Sequence, residues 1–150
     1  MATRNFSSAV TQGSGFGAKG VSGVGSPVLI QKDIDLDNDK DLAGNAVASG
    51  DDCVLMPLPI GCQVRNVFVT ILRAANGTTP TGVIKSGAGN IATAIALDAG
   101  TYPTVAACIV PTPTVRLSNG ASDSIIFTPT VGGTVKGKFR ITAEIVPFAG

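Results

Sequence analysis

A chain of 150 residues with a net charge of +1 and no histidine suits one domain large enough to bury a core without disulfides or metal. The missing histidine excludes Ser-His-Asp and Cys-His catalysis, the usual zinc sites and most general-base schemes near neutral pH. The near-balanced charge excludes a general polyanion-binding field.

Residues 1–26 hold glycine at 13, 15, 17, 20, 23 and 25, five serines, and only Phe6 and Phe16 as large side chains. Such a segment cannot bury enough apolar surface to offset its ordering entropy. It is expected to be an extended or flexible arm, ordered against a partner. Its charged and aromatic residues, Arg4, Phe6, Phe16 and Lys19, are the candidates for that contact. Residues 27–150 are expected to fold as one β-domain.

Within that domain the first strand is expected at 28–36. Asp33, Asp35, Asp37, Asp39 and Asp41 then fall at every second position. Asp35, Asp37 and Asp39 are weak calcium candidates, because alternate oxygen ligands are what calcium loops use. An EF-hand reading fails: counted from Asp35, the glycine position holds Lys40 and the bidentate-glutamate position holds Ala46. An acidic strand end running into a turn is the plainer reading.

Pro57 and Pro59 push the next strand, 53–58, toward a sheet edge, and Pro59-Ile60-Gly61 makes the turn after it. Residues 63–73 read as a strand with Val67, Val69 and Ile71 on one face and Val64, Phe68 and Leu72 on the other. A sandwich strand needs only one apolar face, so Val64, Phe68 and Leu72 are candidates for a subunit interface. Residues 91–97 fit a strand or one helical turn. Short strands are expected at 105–110 and 114–117, around Pro111 and Pro113. The last two strands, 123–130 and 135–148, flank Gly132-Gly133, a hairpin signal. In the final strand Phe139, Ile141, Ala143 and Ile145 alternate with Lys138, Arg140, Thr142 and Glu144, which gives one wet face. No segment keeps a helical period. The expected fold is all-β, an antiparallel β-sandwich or jelly roll of seven or eight strands with an extended N-terminal arm.

Little here suits catalysis. Glu144 is the only glutamate, and it is expected as a solvated charge near Arg140. Cys53, Cys62 and Cys108 are odd in number and form no C-x-x-C. They read as buried small hydrophobes in a protein made in a reducing compartment. Gly13-Ser14-Gly15 lacks the preceding strand and the Gly-Lys-Ser/Thr of a phosphate loop. With Tyr102 the sole tyrosine and no tryptophan, stacking surfaces for sugars or bases are weak. The start of the chain carries no apolar leader, and no apolar stretch approaches a membrane span. The chain is therefore expected to be no enzyme, to need no cofactor, and to bind neither nucleic acid nor membrane.

Several segments carry a resemblance. Leu58-Pro59-Ile60-Gly61 turns into Val64-Arg65-Asn66-Val67-Phe68-Val69. Asp123-Ser124-Ile125-Ile126-Phe127-Thr128 leads through glycines to Gly137-Lys138-Phe139-Arg140-Ile141-Thr142-Ala143-Glu144-Ile145. Over roughly residues 28–147, with the glycine-rich arm in front, the chain resembles the decoration, or cement, proteins of tailed-bacteriophage heads. That resemblance implies a small β-sandwich or jelly roll that forms a homotrimer. It implies binding to the major capsid protein on the capsid exterior of a virion after synthesis in the host cytoplasm, with the arm reaching across capsid subunits. A second reading is a receptor- or glycan-binding fibre or tail module. Such a module needs an exposed aromatic or amide-rich surface at loop tips, and the loop Asn76-Gly77-Thr78-Thr79-Pro80 is polar but has no aromatic.

Overall fold

The structure, a computed structural model, describes residues 2–6, 27–58, 62–87, 89–98, 103–109, 123–132 and 135–147. In chain order the strands among them are β1 Thr3–Asn5, β2 Val28–Asp35, β3 Asp52–Pro57, β4 Cys62–Arg73, β5 Thr81–Ser86, β6 Gly89–Ala96, β7 Thr104–Ile109, β8 Ser124–Thr130 and β9 Lys138–Pro147. They form a five-stranded sheet, β1-β3-β8-β5-β6, packed on a four-stranded sheet, β2-β9-β4-β7. The protein is an all-β sandwich. Every pairing is antiparallel except β1 on β3, which is parallel.

Alternation builds the core. In β9, Phe139, Ile141, Ala143 and Ile145 are fully buried. They meet Ile30 and Ile34 of β2 and Val67, Val69 and Ile71 of β4 on the same inner face. From the other sheet come Leu55 and Met56 of β3, Ile84 of β5, and Ile125 and Phe127 of β8. The rings of Phe127 and Phe139 meet between the sheets at 5.5 Å, tilted by 54°. Two glycines permit that packing. A Cβ on Gly82 would lie 2.7 Å from the Phe127 ring, and one on Gly137 would lie 2.7 Å from the Phe139 ring. Gly137 also has φ +130°, a conformation that side-chain-bearing residues rarely adopt.

The structure corrects several expectations. β8 and β9 lie in different sheets, so the chain between them crosses the sandwich and Gly132-Gly133 closes no hairpin. Alternation marks an inward face but not the sheet it belongs to. β3 is not an edge strand, because β1 covers its outer side over residues 52–54. Pro57 sits at the strand end, beyond the reach of β1. Residues 2–6 of the expected extended or flexible arm are bonded into the five-stranded sheet. β1 and β5 escape a search for apolar runs: Thr3–Asn5 has no large apolar residue, and β5 has only Val83 and Ile84. Residues 91–96 resolve as strand, within β6, and Leu97 follows its end. The expected 114–117 strand, the Pro59-Ile60-Gly61 turn and residues 7–26 lie outside the described residues.

Candidate interaction surfaces

The N-terminal strand is fastened at three levels. Its backbone pairs with β3, Asp52 donating to the carbonyl of Ala2 and Phe6 to that of Val54, each at 2.8 Å. Arg4 donates from Nε to Asp51 Oδ2 at 2.8 Å and places Nη1 3.8 Å from Asp41. Phe6, 7 % exposed, joins the core. Asp51 also accepts the amides of Ala2 and Ala48, each at 2.9 Å. Burial pushes the Asp51 carboxyl up, but Arg4 and these two amides outweigh it and hold it below the usual carboxylate range. Asp41 is lowered chiefly by the amide of Asn45, which donates to it at 2.7 Å. Arg4 and Phe6 are thus engaged within their own chain, and Phe16 and Lys19 lie outside the described residues.

A second surface is the outer face of the four-stranded sheet. Phe68 and Leu72 sit on it half-buried, and Val105 of β7 and Leu29 of β2, each 58 % exposed, extend it. Val64 does not belong there. The register slips between Val64 and Asn66, so Arg65 is the extra residue of a β-bulge. Val64 therefore returns to the inner face beside Val67 and is 1 % exposed. The same face holds Arg140 in a two-point pair with Asp33, at 2.7 and 2.9 Å. Glu144 takes Asn66 at 2.9 Å and Arg65 at 3.6 Å, and not Arg140 as its position along β9 suggested.

The acidic run forms a capped turn. Asp35 accepts from the Asp37 amide and from Asn38, both at 3.0 Å, and from Arg73 at 2.7 Å. Asp39 accepts the Asp35 amide at 2.8 Å, and Asp37 accepts that of Gly137 at 2.9 Å. The oxygens of Asp35, Asp37 and Asp39 are directed at these donors and do not converge on one point. Among the described residues no group of three or more His, Cys, Asp or Glu is arranged to hold a metal ion. Beside the turn lies a cleft of about 490 Å³, lined by Phe6, Lys32, Asp33, Asp35, Asp39, Lys40, Leu42 and Lys138. No sequence signal marked it, because it joins β2, the loop after it and the start of β9.

Cys53 and Cys62 offer no accessible nucleophile. Cys53 and Cys62 are fully buried, and burial pushes the Cys53 thiol up to about 12. No helix among the described residues is long and apolar enough to cross a membrane.

No protein-family model matches the sequence, and no curated protein matches it. Two solved structures share the fold. A chain of the cyanophage Pam1 capsid asymmetric unit aligns with a TM-score of 0.56 at 15 % identity, over 87 % of this chain and 91 % of that one. A chain of the capsid of Ralstonia phage GP4 aligns with a TM-score of 0.53 at 16 % identity, over 97 % of this chain and 99 % of that one. At these identities the likeness is one of fold.

Proposed function

We propose that this chain is a structural protein of a phage virion, a head decoration protein that binds the major capsid protein from outside and stabilises the mature shell. The observation that carries this reading is the fold match, over 87 % and 97 % of this chain, to chains from two phage capsids. It is supported by the absence of histidine and by the low aromatic content, with no tryptophan and one tyrosine, which disfavours a glycan-binding module. Decoration works by linkage: a protein that binds only the expanded lattice stabilises that lattice. Many modest contacts, repeated over subunits, add up to firm attachment.

The same reading assigns the outer face of the four-stranded sheet to a homotrimer. Phe68 and Leu72 are its centre, with Val105 at the rim; covering them removes apolar surface from water. Phe16 and Lys19 remain candidates for capsid contact. The test is co-sedimentation of the purified protein with expanded and unexpanded heads that lack it, beside a native mass measurement. Saturable binding to expanded heads alone is expected. No binding to either head would overturn the reading.

A further inference from the structure

β2 ends its sheet, and its outer side has no partner strand among the described residues. The Leu36 amide donates to Gly137 O at 2.8 Å, on the β9 side. Amides alternate sides along a strand, so those of Leu29, Gln31, Asp33 and Asp35 point away from β9. The Asp35 amide is capped by Asp39 at 2.8 Å, which closes that end. Three outward amides have no partner among the described residues, on a strand where Leu29 and Gln31 are exposed. Such an edge accepts an extended segment by main-chain hydrogen bonding.

The cleft supplies the charge preference. Of its carboxylates, Asp33 pairs with Arg140, and Asp35 shares Arg73 with Asp37, which lies outside the lining. Lys32, Lys40 and Lys138 form no ion pair among the described residues. Among the lining carboxylates Asp39 alone has no cationic partner, against three lysines with no anionic one, so the cleft presents unpaired lysines beside an exposed apolar Leu42. The occupant's carboxylates come from another chain. The residues outside the described set carry only Lys19 and Arg116 as charged side chains.

We propose that the open edge of β2 and the cleft beside it dock an extended segment of the capsid subunit that bears carboxylates and an apolar side chain. This rests on the decoration reading above. Carboxylates meet Lys32, Lys40 and Lys138, the apolar side chain covers Leu42, and the backbone pairs with Leu29, Gln31 and Asp33.

Two arms test it. In the first, isotope-labelled full-length protein is titrated with a capped peptide of alternating glutamate and valine, and with its glutamine analogue. Amide shifts centred on Leu29, Gln31 and Asp33 are expected, with binding roughly tenfold weaker for the neutral peptide, the sum of a few exposed charge pairs. The triple variant Lys32→Gln, Lys40→Gln, Lys138→Gln should erase that preference. Gln31→Pro should weaken both peptides, since it removes an outward amide and leaves the β9 ladder intact. Equal binding of the two peptides, shifts centred elsewhere, or no shifts at millimolar peptide would overturn the acceptor site. In the second arm, variants shown by melting to be folded are sedimented with expanded heads. Variants that attach as firmly as wild type overturn the docking role and leave the decoration reading standing. A wild-type protein that ignores heads overturns that reading and the capsid source together, while the peptide arm still decides the site.

Discussion

Arg4 and Asp51, separated by 47 residues in sequence, meet at 2.8 Å and fix the start of the chain to the head of β3. Arg4 answers a carboxylate that is 4 % exposed and already collects two backbone amides. Removing the guanidinium would leave that buried charge with amides alone, which is costlier than losing a surface pair.

Detaching β1 should therefore be measurable. Phe6→Ala removes a buried ring and should cost about 2–3 kcal/mol, below the upper range for core phenylalanine because the site is near a terminus. Excision of residues 7–26 should cost less than deletion of residues 1–6, by chemical denaturation of each variant. A larger loss on excising 7–26 would show that those residues carry the fold.

Val64→Asp and Phe68→Asp should separate core from interface. The first buries a charge among Val67 and Ile145 and should abolish folding. The second should leave a folded protein unable to form the proposed trimer. Circular dichroism and native mass measure the two outcomes; a trimeric Phe68→Asp protein would move the interface elsewhere.

Acid should destabilise the sandwich through its paired carboxylates. Asp35, Asp41, Asp51 and Asp52 are all held below the ordinary carboxylate value. Their stabilisation is complete above the unfolded value of about 4 and is lost as pH falls through the lower folded values. Melting temperature should be flat above about pH 5 and should fall below about pH 4, less steeply in Asp51→Asn. An Asp51→Asn protein with an unchanged acid limb would remove this carboxylate from the account.

Alkali should act through Cys53. Its thiol is raised from 9.0 to about 12, so the neutral form is the one the fold favours. That contribution is complete below the unfolded value and is lost as pH rises from there toward the folded one. Cys53→Ala should flatten the alkaline limb, and the native thiol should resist alkylation at neutral pH.

Chelation should do nothing comparable. Asp35, Asp37 and Asp39 are satisfied by Arg73, Asn38 and backbone amides. EDTA should leave the melting temperature unchanged; a fall of roughly ten degrees, equivalent to a kcal/mol or more, would restore a calcium site.

The strands whose side chains alternate strictly were legible in the sequence. β9 is the clearest, since Phe139 to Ile145 needed only the period of a strand. What escaped was non-local. The bulge at Arg65 depends on the partner strand, so the sequence alone put Val64 on the wrong face. β1 is a strand because β3 offers it an edge, not because Thr3–Asn5 favours one. Glu144 and Arg140 are close along β9, yet each takes a partner on another strand. The candidate docking edge was invisible for the same reason: a strand's open side is a property of the sheet.

The parallel pairing of β1 and β3 also bears on mechanics. Tension on the chain beyond Phe6 enters at the C-terminal end of β1. Pulled along the strand axis, the ladder, the Arg4–Asp51 contact and the Phe6 socket bear load together, as a sheared seam does. Pulled across the axis, they open in turn, Phe6 first. A tether anchored along that axis would hold the sandwich hard, and one anchored across it would peel away.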